Sequence, residues 1–422
     1  MQQILKSIKP STIEENKFTK TYTNFLTKLN KNLKSINANA IIGGSTAKGT
    51  WLSDNHDADI FVLFNLEQYK DKSSKLSDIL EPILKKTFKN TNISRVHGSR
   101  DYFQMLIENY NFEVVPILKI ENSKQAINIT DVSPLHAKWV NKNSNLKLKD
   151  EIRLLKKFCK ANELYGAESH IGGFSGYILE ILTIHFESFE NTLQAATKFK
   201  IKQVIDAQNL YPKKDALFHL NKSKTTSPII IIDPVDMTRN AAAALGQEKL
   251  NQLKKVAKAY LKTKTKEEKL QFFKDKDYSF KSLSTQLKNL IYITLTLKEG
   301  KSDVIGYKVV KTIEHLKRSL INFEIKKSGF KILNNKENQA IVYLTLKKTT
   351  LPKEMIRSGP PLKLTDSVKA FKTKYKNTFE EDSKIKAKIT IKDRDIKTLL
   401  PKVLEHKYIK EKIKNIQKIQ YN

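Results

Sequence analysis

The sequence predicts a multidomain α+β protein. Its 422 residues exceed what a single core usually supports, at roughly 150 residues per domain. β-prone apolar runs alternate with amphipathic helices in the first third, and the middle third has helical spacing with few strand signals. The last third returns to β character.

The elements follow in order. Pro10, Ser11 and Glu14 form a capping box that opens a helix to about Leu33. A strand over Ala38–Ile42 breaks at Gly43 and Gly44, and a helical segment runs from Ser45 to Leu52. The apolar, β-prone stretch Ala58–Phe64 reads as a buried strand, and Lys70–Lys89 as a helix. Ile93–His97, Tyr102–Glu108 and Phe112–Leu118 complete an α+β domain over residues 1–135. A helical domain over 136–262 is expected from Lys147–Asn162, Phe174–Phe189, Leu193–Gln208 and Arg239–Lys264, interrupted by the strand Ile229–Ile232. Lys262–Lys276 reads as a linker or charged helix. In 263–422, strands at Ile291–Leu297, Phe330–Leu333 and Ala340–Leu346 flank a helix at Ser302–Ile321, resembling half of a ferredoxin-like or RRM-like sheet. A basic helical tail is expected over Leu400–Gln420.

Seventy-seven Lys and Arg against 44 Asp and Glu give a net charge of +33, which favours a polyanionic partner. Lysine supplies nearly all of it. That bias suits phosphate backbones, although AT-rich coding composition produces the same bias. Nucleic acid is therefore the leading partner class. No apolar run reaches the ~18 residues of a membrane span, no secretory signal is read at the start, and the one cysteine, Cys159, excludes an internal disulfide framework. A cytoplasmic protein with no membrane partner is expected.

The chemistry concentrates in two motifs. Gly43-Gly44-Ser45-Thr46-Ala47-Lys48 stands at a strand-to-helix junction, where glycines allow close approach of a phosphate and helix-start amides are free to donate. It lacks the Gly-Lys-Ser/Thr ending of a Walker loop. Then Asp57-Ala58-Asp59 places two carboxylates on one face of a strand, with Cα atoms about 6.5 Å apart. Side by side at the head of an apolar strand they repel, and burying them is costly without a cation. Asp54 and His56 read as ordinary loop residues. Glu113, a charge inside the apolar run Phe112–Ile117, is the candidate third carboxylate from a neighbouring strand.

These residues resemble a known family. Gly43 to Leu52, Asp57 to Phe64 and Phe112 to Ile117 look like the core of polymerase-beta-type nucleotidyltransferases, in the archaeal-type (class I) CCA-adding form. Thr130–Trp139, Arg153–Lys156, Ala161–Glu168, Gly173–Tyr177, and Asp233–Val235 with Arg239-Asn240 extend the resemblance over most of the first 245 residues. Beyond that only Arg357–Pro360 matches. The resemblance implies template-independent addition of C, C and A to the 3′ end of tRNA from CTP and ATP. Asp57, Asp59 and Glu113 would carry two Mg²⁺ ions. Gly44, Ser45 and Lys48 would hold the triphosphate, His136, Lys156 and Tyr165 would line the nucleotide site, and Arg239 would help read the base. Glu113 stands where the family commonly has Asp, and its extra methylene moves the carboxylate by about 1.5 Å. The basic third domain would grip the acceptor stem and T-arm of tRNA by phosphate and 2′-hydroxyl contacts. A homodimer stays open.

Read without the resemblance, His136 is a structural cap, Lys156 a surface residue and Tyr165 a core residue. Arg239, beside Asp233 and Asp236, is either a base reader or an ion pair that ties a loop down. Rival activities are a poly(A) polymerase, a 2′–5′-oligoadenylate synthetase-like enzyme, and a non-catalytic RNA-binding protein on the same scaffold.

Overall fold

The computed structural model describes residues 1–53, 57–213, 215–300, 302–333 and 338–422. Asp54 and His56 lie outside the described residues. The chain divides into two compact units, residues 1–276 and 277–422.

The first unit opens with a short helix, Gln2–Ile8, and a long one, Thr12–Leu33, whose Ser11 hydroxyl accepts the Glu14 amide, the N-cap half of the expected box. Strands β1 (Ala38–Ile42), β2 (Asp57–Asn65), β3 (Ser94–Val96), β4 (Tyr102–Ile107) and β5 (Tyr110–Lys119) form one sheet in the order β1-β2-β5-β4-β3. Only the β2–β5 pair is parallel. Strand alternation sorts the side chains. Ala58, Ile60, Val62, Phe64, Phe112, Val114 and Leu118 enter a core shared with Phe18, Phe25, Leu29 and Leu80 of the flanking helices. The opposite face carries Asp57, Asp59 and Glu113, then a small apolar cluster of Phe61, Leu63 and Ile117.

A buried polar knot closes this sheet. Asp131, fully buried, accepts Arg100 Nη1 at 2.5 Å and the Leu118 amide at 3.0 Å, while Arg100 also donates to Ser73 Oγ at 2.6 Å and the Pro116 carbonyl at 3.1 Å. Each charge is neutralised and hydrogen-bonded, which makes their burial affordable.

A second core lies within the same unit. Helices Leu146–Ala161, Gly176–Phe186, Phe189–Lys198 and Gln247–Lys262 pack around Phe158, Phe174, Ile181, Phe189 and Tyr260. Ile4 and Ile8 of the first helix belong to this core. Strands β6 (Gln203–Ile205), β7 (Ile229–Asp233) and β8 (Asp236–Asn240) form a three-stranded sheet beside these helices.

The second unit builds a four-stranded antiparallel sheet from β9 (Leu290–Leu297), β10 (Ile325–Ile332), β11 (Gln339–Leu346) and β15 (Ile413–Tyr421), ordered β10-β11-β9-β15. Helices Ser302–Ser319 and Ile396–Leu404 cover one face through Val309, Leu316 and Leu400. This is a complete β-α-β-β-α-β ferredoxin-like arrangement, into which β12 (Glu354–Pro361), β13 (Thr378–Glu381) and β14 (Lys384–Thr390) insert a separate small sheet.

Several expectations are corrected. The predicted tail helix Leu400–Gln420 is a helix end, a short helical turn and the strand β15. Ile413, Ile416, Ile419 and Tyr421 pair with Leu297, Leu295, Ile293 and Ile291 of β9 through two register shifts, and this tertiary pairing overrides local helix propensity. The helix expected over Leu193–Gln208 stops at Lys198, and residues 203–205 pair with β7. Arg239 and Asn240 belong to β8 rather than to the following helix, which starts at Gln247. The segment after the glycine pair is helical only over Gly44–Lys48, because Gly49 takes a left-handed conformation, with φ of 65°. The helix expected over Lys70–Lys89 is α-helical only over Leu76–Thr87, after a 3₁₀ segment.

Candidate active site

The geometry starts from strand register. In the parallel β2–β5 ladder Asp59 stands opposite Glu113, and Asp57 opposite Asn111. Since i and i+2 on a strand share a face, the three carboxylates lie on the side of the sheet away from the main core. They line a cavity of about 250 Å³ together with Ser45, Lys48, Lys156, Tyr165, Gly176 and Glu180. Seven of the ten residues expected at the site therefore meet in one hollow.

Gly44 is fixed by its neighbours. Its φ is +56°, and a Cβ there would stand 1.6 Å from Asp59 Oδ2. Gly43, whose amide donates to the Asp59 carbonyl at 2.7 Å, brings the turn against β2. Gly44→Ala must therefore displace the Asp59 carboxylate and strain the backbone. Activity is expected to fall by roughly 100-fold or more, with a stability loss on the order of 1–3 kcal/mol, read by steady-state kinetics and thermal melting.

The carboxylates carry uncompensated charge. Burial, then the charges of Glu113 and Asp57, push the Asp59 carboxyl up to about 6. Burial also raises Glu113, against the opposing hydrogen bond from Gln104. Among the described residues no three His, Cys, Asp or Glu side chains stand in metal-ligating geometry. Asn111 Nδ2 holds Asp57 Oδ1 at 3.2 Å, and Gln104 Nε2 holds Glu113 Oε1 at 2.7 Å. The chemistry of the donors, rather than their present spacing, suits a hard divalent cation: three carboxylates line one hollow, and the raised Asp59 carboxyl marks excess negative charge that a cation would neutralise.

Opposite this acidic wall is a basic one. Lys48 Nζ donates to Glu180 Oε2 at 2.7 Å, while Glu180 Oε1 accepts Lys156 Nζ and Thr50 Oγ1, each at 2.7 Å. Lys156 also donates to Thr50 Oγ1 at 2.9 Å and the Thr50 carbonyl at 3.3 Å. Burial alone would raise the Glu180 carboxyl, but the charges and hydrogen bonds of Lys156 and Lys48 outweigh it and hold it near 2. The sequence reading missed Glu180. Its signal was the one used for Glu113, a charge embedded in an apolar run, here Ile178–Ile184.

His136 and Arg239 are brought together elsewhere. They do not line the cavity but surround the fully buried Asp233. His136 Nε2 is 3.0 Å and Arg239 Nη1 2.5 Å from Asp233 Oδ2, and the Tyr177 hydroxyl donates to Oδ1 at 3.0 Å. Burial would raise Asp233, but the His136 hydrogen bond and the charges around it hold it near 2. His136 stacks on Tyr177 at 4.0 Å between centroids, and Lys48 Nζ lies 5.3 Å from the same ring, so Tyr177 joins this cluster to the cavity. The Arg239–Asp233 ion pair is present, and the Arg239 side chain keeps 28% of its surface exposed.

Comparison with known proteins agrees with this architecture. Residues 150–274 match the family model described as tRNA nucleotidyltransferase, second domain, and residues 1–150 match the Second Messenger Oligonucleotide or Dinucleotide Synthetase domain. The CCA-adding enzyme of Nanoarchaeum equitans is 34% identical, over 87% of this chain and 88% of its own length. That of Methanocaldococcus jannaschii is 32% identical, over 91% and 86%. Among solved structures, Cid1, an RNA terminal uridylyl transferase, superposes with a TM-score of 0.50 at 14% identity, covering 66% of this chain and 97% of Cid1. With a nucleotidyltransferase fold and relatives that align along nearly its whole length, the chain belongs to the family of CCA-adding enzymes.

Proposed function

We propose that the cavity transfers a nucleotidyl group from CTP or ATP to the 3′-hydroxyl of tRNA, adding C, C and A without a template and releasing pyrophosphate. The observation that carries this reading is the register that sets Asp59 beside Glu113, across one hollow from Ser45 and Lys48. Asp57, Asp59 and Glu113 would hold Mg²⁺, whose charge favours ionisation of the hydroxyl and stabilises the leaving pyrophosphate. Glu113, raised by burial, accepts the proton of the 3′-hydroxyl. The hydroxyl oxygen bonds to the α-phosphorus as the bond to the β-phosphate oxygen breaks. Lys48 and Ser45 bind the triphosphate in the hollow that Gly176 also lines. In the second unit, a hollow of about 410 Å³ lined by Lys317, Lys326, Lys327 and Ser328, with Ile321, Ile325 and one carboxylate, Glu324, offers a surplus of ammonium groups for the phosphates of the acceptor stem and T-arm. No helix among the described residues is long and apolar enough to cross a membrane.

Incubating the protein with tRNA lacking its terminal CCA tests the reading. CTP alone should add two residues and stop, ATP alone none, and both together three. A homopolymer from ATP alone would assign a poly(A) polymerase. Oligoadenylate made without tRNA would instead favour a synthetase, the rival that the match over residues 1–150 supports.

Arg239 and its partners read the base edge. Arg239→Ala is expected to relax discrimination of CTP and ATP against UTP by roughly 10-fold to 100-fold, with the KM for tRNA within about two-fold. Equal losses for all three nucleotides would leave Arg239 as an anchor on Asp233.

A further inference from the structure

Glu180 is a charge that the reaction, as described, does not use, yet it lies at the centre of the basic wall. It is fully buried and faces the cavity, and both its oxygens are occupied. Oε2 takes Lys48, and Oε1 takes Lys156 and Thr50. These partners come from two different cores, since Lys48 and Thr50 follow the glycine turn whereas Lys156 and Glu180 are on the helices Leu146–Ala161 and Gly176–Phe186.

The two lysines are not equivalent. An ammonium has three donors. Those of Lys156 go to Glu180 Oε1, Thr50 Oγ1 and the Thr50 carbonyl, so all three are taken by the protein. Lys48 gives one hydrogen bond to Glu180 and rests against the Tyr177 ring. It therefore retains capacity for an anion, and Lys156 serves to neutralise Glu180.

We propose that Glu180 is a positioning residue for the nucleotide triphosphate: anchored by Lys156 and Thr50, it aims the Lys48 ammonium into the cavity. Without Glu180, Lys48 is free to swing toward the acidic wall of Asp57, Asp59 and Glu113, where it would compete with the cation and abandon the phosphates. The proposal rests on the nucleotidyl-transfer reading of the cavity.

A double-mutant cycle tests it. Glu180→Gln keeps the shape and removes the charge. It is expected to raise the KM for CTP and ATP about 10-fold, with the KM for tRNA within two-fold and a smaller change in kcat. In a Lys48→Ala background the same substitution should change nucleotide KM less than two-fold, because Glu180 acts through Lys48. Additive losses in the two backgrounds, or an unchanged nucleotide KM, would overturn the proposal. Should Glu180→Gln fail to fold, as melting would reveal, Thr50→Val carries the same cycle with the same opposed outcomes, since it removes one of the two anchors of Oε1. The wild-type protein, assayed alongside on tRNA lacking CCA, separates the two failures. Inactive wild type refutes the nucleotidyl-transfer reading, while active wild type with an additive cycle refutes only the role of Glu180.

Discussion

Asp59→Ala is expected to lower nucleotide incorporation on the order of 10³-fold or more while leaving tRNA affinity within a few fold. Asp59 is the most central of the three carboxylates, flanked by Asp57 on its own strand and by Glu113 across the ladder. Removing it takes away the donor that both neighbours crowd. The same crowding predicts that the variant is no less stable without metal. The carboxyl titrates at about 6 in the folded protein against an ordinary 3.8, so folding takes up a proton between those values. The folded state is then favoured at low pH, and the metal-free protein loses up to about 3 kcal/mol as pH rises from about 4 to above 6. Melting curves at pH 4.5 and pH 7 with chelator should show that slope in the wild type and lose it in Asp59→Ala. Retained turnover in the variant would refute the metal assignment. An active site that stores electrostatic strain is stable at the expense of other parts of the fold.

The second large effect concerns stability rather than chemistry. Asp131→Ala leaves Arg100 buried with its charge unpaired and removes the acceptor of the Leu118, Ile127 and Asn128 amides. A loss of about 3–5 kcal/mol is expected, since breaking one partner of a buried pair exposes the full desolvation cost of the other. Because Leu118 and Pro116 lie on β5, the strand that carries Glu113, residual activity should fall with the melting temperature. Chemical denaturation of Asp131→Ala against Arg100→Met/Asp131→Leu measures it. The double variant removes both charges and should recover a large part of the loss. Equal destabilisation by both variants would mean that the backbone amides, not the ion pair, dominate.

The chemistry-bearing segments were legible because their signals are local. A glycine pair before a helix, two aspartates at strand spacing and a glutamate inside an apolar run each stand out from ordinary strands and turns, and the three carboxylates line one hollow. Glu180 broke the same rule and was passed over, because a charge in a helix can usually reach solvent and its partners lie 24 and 132 residues away. His136 and Arg239, 103 residues apart in sequence, share Asp233 rather than the cavity. The Arg239–Asp233 pair was one of two readings open in the local sequence, but nothing local encodes that His136 joins it.

By itself the sequence determined the alternation of helices and strands in the first 135 residues, the identity of the acidic motif and the basic surplus. These follow from side-chain period, backbone freedom and composition, which are properties of neighbours along the chain. Only the tertiary structure decided that Glu113 stands opposite Asp59, that Lys156 is wholly engaged by Glu180 and Thr50, and that the C-terminal segment is a strand completing a ferredoxin-like sheet. Ladder register and buried ion pairs depend on segments brought together from far apart. Their free energy exceeds the few tenths of a kcal/mol per residue by which local preference chooses helix over strand.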